Sequence, residues 1–240
     1  MSGAAVVVGA GDATGGAIAR RFAAGGYVAV PARRRAEALA PLAAEIEAAG
    51  GRCLPIGCDA RVEAEVEALF DRAEREAGPV EACVFNIGAN ARFPFLKLEE
   101  RKFRKIWEMA AYAGYLVGRQ AALRMAPRGR GTILFTGASA SVKGYAHGAA
   151  FASAKFALRG MAQAMARELG PMGIHVAHVV IDGGIDTEFI RTAFPERYAL
   201  KERDGILNPE HIAETYWMLH NQKRDAWTHE MDLRPWIESF

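Results

Sequence analysis

The sequence has few cysteines, no long hydrophobic run and no recognisable leader. Its three cysteines are Cys53, Cys58 and Cys83, an odd number without a Cys-x-x-Cys pair or a Cys/His spacing typical of metal sites. This pattern indicates reduced core thiols and predicts no metal centre. No stretch reaches the roughly 18 uncharged apolar residues that a membrane span needs. No basic segment followed by a long apolar run opens the chain, so we expect a cytoplasmic protein without a membrane partner.

A strong charge of either sign is also missing. The formal net charge of the 240 residues is +2, which is too weak and too dispersed for a nucleic-acid-binding protein or an anionic membrane surface. One local basic cluster stands out, formed by Arg33, Arg34 and Arg35. The apolar fraction of 51% is enough for a substantial core, and the length suits one large α/β domain.

Short apolar runs alternate with amphipathic helical patterns along the chain. The runs are apolar on both faces, which is typical of parallel strands covered by helices on both sides. They span residues 4–8, 27–30, 53–56, 80–85, 132–136 and 174–181, and residues 227–233 alternate like a seventh strand. The longest helical pattern covers residues 99–124. We therefore predict a single doubly wound Rossmann-type domain over residues 1–240, with a parallel seven-stranded sheet.

The predicted strand order places the third strand at the edge of the sheet. Pro55 lies in that strand, and an edge tolerates proline because its missing N–H costs no ladder hydrogen bond there. Residues 187–208 have little pattern, and we interpret them as a substrate-facing insertion. The apolar tail with Pro235, Trp236, Ile237 and Phe240 packs either on its own subunit or on another.

A glycine-rich turn joins the first strand to the first helix. Such a turn lets the backbone approach a pyrophosphate, and the helix N-terminus adds N–H donors and partial positive charge. The general G-x-G-x-x-G pattern fails because Thr14 takes its last position, and a purely structural turn stays an alternative. The candidate cofactor contacts in this turn are Gly9, Gly11, Asp12, Ala13 and Gly15.

The basic cluster follows the second strand, where the residue type helps to select the dinucleotide. An acidic side chain there suits the ribose hydroxyl of NAD, whereas arginine suits the extra phosphate of NADP. Arg33 and Arg34 stand at this point, and the first acid after the second strand is Glu37. We predict a preference for NADP(H) over NAD(H). The alternative is that the arginines only begin a solvated helix.

Several partial motifs together resemble the short-chain dehydrogenase/reductase family over about residues 4–190. The spacing of Gly9, Ala13 and Gly15 is similar to the family's Gly-x-x-x-Gly-x-Gly turn, and Ala13 is a mild departure if its backbone is helical. Phe151 and Lys155 have the spacing of the family's catalytic Tyr-x-x-x-Lys pair. The resemblance implies an oxidoreductase that acts on a small carbonyl or alcohol.

The resemblance also assigns cofactor contacts beyond the glycine-rich turn. Asn86 and Gly88 match part of the family's Asn-Asn-Ala-Gly segment, and Thr187 matches a contact to the nicotinamide end. Gly183 belongs to the loop after the sixth strand. Asp59 takes the place of an acid that binds the adenine amino group, although it could instead, or in addition, cap the following helix. Lys155 would bind the nicotinamide ribose.

Three of the four catalytic positions of the family carry side chains without a suitable polar group. Phe151 replaces the proton-donating tyrosine, and a phenyl ring cannot donate or accept a proton. Ala138 falls at the serine position and Ala111 at the asparagine position. A positioned general acid contributes about 10²–10⁴ in rate, or roughly 3–5 kcal/mol. Carbonyl reduction by the family mechanism should therefore be slow.

Three side chains are candidates to replace the missing proton donor. Ser139 neighbours the lost serine, and Tyr145 lies in the loop before the helix that carries Phe151. Asp182 follows the sixth strand, where a desolvated carboxyl could act as an acid. The alternatives are structural: a loop anchor for Tyr145 and a turn residue for Asp182.

Two functions follow from these observations. The first is an NADP(H)-dependent oxidoreductase with a degenerate active site and a small-molecule substrate. The second is a catalytically silent dinucleotide-binding protein that senses nucleotide or serves as a scaffold. In both cases the resemblance implies a homodimer or homotetramer.

Overall fold

A computed structural model describes residues 3–239, so Phe240 of the predicted tail lies outside the described residues. Strands and helices alternate along this part of the chain, as the sequence predicts. The strands are β1 (Ala4–Val8), β2 (Val28–Arg33), β3 (Arg52–Cys53), β4 (Ile56–Gly57), β5 (Val80–Phe85), β6 (Gly131–Thr136), β7 (Ile174–Ile181) and β8 (Glu230–Leu233). The helices are α1 (Thr14–Ala24), α2 (Ala40–Ala48), α3 (Glu63–Ala77), α4 (Glu100–Trp107), α5 (Ala113–Met125), α6 (Ala149–Leu169), α7 (Glu188–Ala193), α8 (Pro195–Tyr198) and α9 (Pro209–His220).

All strand pairs among the described residues are parallel, and they form one sheet. The order is β3-β2-β1-β5-β6-β7-β8, with β4 also paired to β2. The predicted doubly wound topology is confirmed. Eight strands fill seven positions in residues 3–239 because the predicted third strand is divided at Pro55. β3 and β4 both pair with β2, one on each side of the proline, and they form the edge of the sheet.

Side chains on the two faces of the sheet enter two separate cores. In β1, Val6 and Val8 pack with α3, α5 and α6, whereas Ala5 and Val7 pack with α1, α2 and α9. This alternation explains why the strand sequences are apolar at every position: both faces are buried under helices. The carboxyl ends of the strands remain open between the two helical layers.

The long helix predicted over residues 99–124 is interrupted. A π-helical turn over Glu108–Tyr112 separates α4 from α5 and contains Ala111. A π turn widens a helix by one residue, and such turns occur frequently at functional sites. The sequence pattern does not distinguish this turn from continuous α-helix because the apolar spacing on either side is compatible with both.

Part of the carboxy-terminal segment packs on its own subunit, whereas Trp236 is 76% exposed. Of the predicted strand over residues 227–233, only Glu230–Leu233 pairs with β7. Pro235 is buried and approaches Gly183, where an added Cβ would lie 2.7 Å from the proline ring.

Cys53, Cys58 and Cys83 are free thiols, and burial raises the pKa of Cys53 to about 11 and that of Cys58 to about 12. Within residues 3–239, no helix is long and apolar enough to cross a membrane.

Candidate active site

A cleft of about 730 Å³ opens at the carboxyl ends of β1, β2 and β5. This is the crevice in which doubly wound sheets bind their ligands. Its walls are formed by the glycine-rich turn, the arginine cluster, the loop after β4, the loop after β5 and the π turn. The lining residues are Val8, Gly9, Ala10, Gly11, Ala32, Arg33, Arg34, Arg35, Cys58, Asp59, Ala60, Arg61, Asn86, Ile87, Gly88, Ala89 and Met109.

The glycine-rich turn is held by close backbone contacts that only glycine permits. Gly9 has a φ of +90°, and an added Cβ would lie 2.8 Å from the Asn86 carbonyl. At Gly15 an added Cβ would lie 2.5 Å from the Gly9 carbonyl oxygen. The Asn86 side-chain amide donates a hydrogen bond to that same oxygen at 3.2 Å. Asn86 thus fixes the turn as well as lining the cleft.

The start of α1 differs from the expectation for Ala13. This residue is the N-cap of α1, and its φ of −114° and ψ of −130° are not helical. A negative φ is nevertheless accessible to alanine. No side chain caps the helix, which leaves its first N–H groups available to an anion. Gly11 lines the cleft, whereas Asp12 lines a separate cavity of about 320 Å³.

The arginine cluster at the end of β2 lines the cleft, and Arg34 is near enough to Asp59 to assist Arg61 in lowering the pKa of that carboxyl. Among the described residues, neither a salt bridge nor a side-chain hydrogen bond involves Arg33, Arg34 or Arg35. Most other arginines of the chain are paired with Asp or Glu, as Arg61 is with Asp59. Unpaired guanidinium groups at one end of a cleft provide a binding site for a phosphate.

Asp59 lines the same end of the cleft, but it does not cap α3, whose N-cap is Val62. The capping alternative is therefore wrong. The carboxylate instead accepts hydrogen bonds from Arg61, including one from Nε at 2.9 Å, and these bonds lower the pKa of Asp59. Arg61 was missed in the sequence because nothing in the pattern distinguishes it from a surface arginine. Its charge offsets that of Asp59 beside the arginine cluster.

Lys155 is buried, as its apolar neighbours in α6 predict. Its side chain is 2% exposed, and Nζ donates to the Ile87 carbonyl at 3.1 Å and to the Thr136 carbonyl at 2.7 Å. No carboxylate within the described part of the chain pairs with it. Burial lowers the pKa of Lys155 to about 7. Ile87 lines the cleft, so the amine lies directly behind the cleft wall at the ends of β5 and β6.

The positions of the three missing catalytic groups converge on one apolar region. Phe151 and Ala138 belong to a cluster that includes Ala89, and Ala111 belongs to a second cluster that also includes Ala89. Ala89 lines the cleft and connects it to both clusters. The Lys155 Nζ lies 5.8 Å from the centre of the Phe151 ring. Hydrocarbon side chains therefore surround the three residues that the family resemblance places at catalytic positions.

Two of the candidate replacement donors lie beside this region. Tyr145 is half-buried against the cluster that contains Phe151, and an added Cβ at Gly148 would contact its ring at 2.4 Å. Burial raises the pKa of Tyr145, partly opposed by the guanidinium of Arg92, which lies 5.2 Å from the ring centre. Ser139 is half-buried at the start of a short helical turn over Ser139–Ser141.

The residues predicted after β7 do not line the cleft. Asp182 is 4% exposed, and one of its carboxylate oxygens lies 3.6 Å from Arg234 Nε, so its partner is a guanidinium rather than a ligand. Asp182 is not among the residues that line the cleft, and its role as an acid stays a prediction. Gly183 packs against Pro235. The Thr187 hydroxyl caps α7 by accepting from the Ile190 N–H at 3.1 Å, and Thr187 lines the separate cavity together with Asp12.

Comparison with known proteins identifies the same family over most of the chain. The family model described as short chain dehydrogenase matches residues 3–197. The 3-oxoacyl-(acyl-carrier-protein) reductase MabA of Mycobacterium tuberculosis is 30% identical over 197 residues, which cover 82% of this chain and 74% of that protein.

Solved structures agree with this match. A short-chain dehydrogenase from Rhodopseudomonas palustris is 47% identical, with a TM-score of 0.83 over 97% of this chain and 99% of that chain. A metagenomic short-chain oxidoreductase in complex with NADP is 25% identical, with a TM-score of 0.80 over 98% of each chain.

Proposed function

This chain belongs to the short-chain dehydrogenase/reductase family, and from that premise we propose that it binds NADP(H) and is an oxidoreductase with a degenerate active site. Its substrate would be a small, largely apolar carbonyl or alcohol compound. The observation that carries the cofactor assignment is the set of three unpaired arginines at the end of β2.

The cleft suits each part of a phosphorylated dinucleotide. Arg33 and Arg34 would hold the ribose phosphate, because guanidinium groups bind phosphate through several charge-assisted hydrogen bonds. Gly9, Gly11 and the uncapped start of α1 would hold the pyrophosphate. The structural neighbour solved with NADP is consistent with this assignment. When bound, the cofactor supplies hydride chemistry.

Lys155 and the Asn86–Gly88 segment lie on the other side of the glycine-rich turn from the arginines. The nicotinamide half would therefore extend toward Ile87 and Ala89, because the adenosine half is directed to β2. Lys155 is the residue we assign to the nicotinamide ribose. Tyr145 and Ser139 remain the proposed proton donors, since both lie close to Phe151.

The substrate would enter past residues 187–208. Phe189 and Phe194 are exposed there and form an edge-on ring pair with centres 5.8 Å apart. Exposed aromatic rings in the segment that we interpret as substrate-facing favour an apolar substrate. We place the protein in the cytoplasm, in agreement with its free cysteines.

A catalytically silent dinucleotide-binding protein is the second candidate function. It is favoured by the apolar clusters around Phe151, Ala138 and Ala111, which leave no hydroxyl or amide at the three family positions. Both functions require the cofactor, so cofactor binding is the property to test first.

The test is a fluorescence titration of the purified protein with NADPH and with NADH. Each charge-assisted hydrogen bond contributes about 1.5–3 kcal/mol, so replacing both Arg33 and Arg34 by alanine should weaken NADPH binding by roughly 10²- to 10⁴-fold. NADH affinity should change little. Arg101→Ala is the matched control, because Arg101 is an exposed arginine on α4, away from the cleft. The absence of any response to either cofactor at millimolar concentration would refute both candidate functions.

We also propose that the protein forms a homodimer or homotetramer. Phe103, Trp107, Tyr112 and Tyr115 are partly exposed along α4, the π turn and α5, and the two tyrosine rings stack with centres 6.2 Å apart. Aromatic side chains at helical spacing on an exposed face are typical of subunit interfaces. Sedimentation velocity of the wild type and of Tyr115→Glu tests this: the variant should dissociate, and a monomeric wild type would contradict the proposal.

A further inference from the structure

Lys155, directly behind the cleft wall, is unusual because its positive charge has no anionic partner among residues 3–239. Its Nζ is bound by two neutral carbonyls, those of Ile87 and Thr136. In a family member with the catalytic tyrosine, a phenol stands beside the lysine. Here the Phe151 ring takes that place and cannot ionise.

The other ionisable groups near Lys155 keep a fixed charge around neutral pH. His178 on β7 is fully buried, and burial lowers its pKa to about 4. Glu230 on β8 is bound by Arg159 at 2.6 Å and by His178 at 2.9 Å. Burial raises the pKa of Tyr216 on α9, whose hydroxyl contacts Thr136. Lys155, with a pKa of about 7, is the group in this set that changes charge between mildly acidic and mildly basic solution.

The two forms of the cofactor differ in charge at the end that would approach Lys155. The nicotinamide ring is a cation in NADP⁺ and neutral in NADPH, whereas the adenosine ends are identical. An uncompensated ammonium group repels the cation in a site of low dielectric, and a neutral amine does not. We propose that Lys155 makes the cleft distinguish the oxidation state of the cofactor, with its protonated form selecting NADPH over NADP⁺.

This inference rests on the proposed binding of NADP(H), but it requires no turnover. By linkage, a ligand that disfavours the protonated lysine must bind more tightly when the lysine is neutral. A protein with this property reports the reduction state of the cofactor pool through occupancy alone. Lys155, which an oxidoreductase would use to bind the nicotinamide ribose, would thus also explain how a catalytically silent protein could sense the cofactor.

The experiment measures equilibrium dissociation constants for NADP⁺ and NADPH by calorimetry from about pH 6 to about pH 9, on both sides of the Lys155 value near 7. Both cofactor forms carry the same titrating phosphate, so its effect on binding cancels in the ratio of the two dissociation constants. We expect NADPH to be favoured at low pH and this preference to fall by about 10-fold as the pH rises.

Two variants and a control test whether Lys155 causes the pH dependence of this ratio. Lys155→Met should make the ratio independent of pH and remove the low-pH preference. Lys155→Arg should also make it independent of pH but retain the preference for NADPH, because arginine stays charged. The arginine variant keeps the proposal testable if the methionine variant does not fold. Lys105→Met, an exposed lysine on α4, should behave like the wild type.

The outcomes separate this inference from the proposed function. If both cofactor forms bind with a ratio that does not change with pH, the role of Lys155 is refuted and cofactor binding stands. A pH-dependent ratio that persists in Lys155→Met also refutes it. If neither form binds at any pH, the proposed function itself fails.

Discussion

Replacing Lys155 by methionine should change how the stability of the protein depends on pH. The pKa of this lysine falls from 10.5 to about 7 in the folded protein, a difference of 10.5 − 7 = 3.5. Each unit corresponds to about 1.36 kcal/mol, so the folded state loses up to roughly 5 kcal/mol as the pH falls from 10.5 to 7. The pKa of Lys155 is lower in the folded protein than in the unfolded chain. The folded state therefore has its full stability above pH 10.5 and loses this amount of stability by about pH 7.

Methionine has a similar length and no charge, so the variant lacks this pH-dependent loss. It also leaves the carbonyls of Ile87 and Thr136 without the lysine donor, which costs about 1–3 kcal/mol at every pH. The variant should therefore be more stable than the wild type by about 2–4 kcal/mol below pH 7 and less stable near pH 10, with the two curves crossing between these values.

Urea unfolding followed by circular dichroism at several pH values measures this difference. Lys105→Met, which replaces an exposed lysine, should follow the wild-type curve throughout. Parallel curves for wild type and Lys155→Met would show that the buried amine does not titrate as the structure requires. They would also remove the basis for its proposed effect on cofactor binding.

Two further variants test the site, one of them with two substitutions. The double variant Phe151→Tyr, Ala138→Ser should raise ketone reductase activity with NADPH by about 10²–10⁴, which is the contribution of a positioned general acid. The control Phe156→Tyr, on the exposed side of α6, should leave the activity unchanged. An unaltered rate in the double variant would mean that the cleft fails for another reason. Gly15→Ala should lower the free energy of unfolding by roughly 1–3 kcal/mol and weaken cofactor binding, because its Cβ would overlap the turn. Gly144→Ala, where an added Cβ meets no atom within 4 Å, is the control, and equal effects of the two alanines would contradict this explanation.

The fold could be predicted from the sequence because its signals are local. Strands buried on both faces read as continuous apolar runs, and the glycine-rich turn follows the first of them. The position of Pro55 at a sheet edge followed from the strand order and is confirmed by the pairing of β3 and β4 with β2. The burial of Lys155 was predictable for the same reason, since the neighbouring small side chains indicate a helix face against the sheet.

The parts of the site that could not be predicted depend on contacts between distant segments. Asp182 reads as a free acid at the end of a strand, but Arg234 lies beside it because β8 pairs with β7. Asp59 has the alternative of capping the following helix, but its loop places Arg61 on the carboxylate. The π turn that contains Ala111 leaves no trace in the apolar pattern. In each case a charge or a backbone defect is positioned by packing rather than by its sequence neighbours.

The three residues that the family resemblance places at catalytic positions lie together in one region of the structure. Ala111 lies on the π turn, Ala138 on the loop after β6 and Phe151 on α6, yet all three face the same apolar region next to Ala89. Reduction of a neutral carbonyl creates an oxyanion, and none of these three side chains can donate a hydrogen bond to it. The glycine-rich turn and the arginines keep the features that dinucleotide binding requires. We therefore expect cofactor binding to be retained more fully than carbonyl reduction, with Tyr145 and Ser139 as the proposed donors near Phe151.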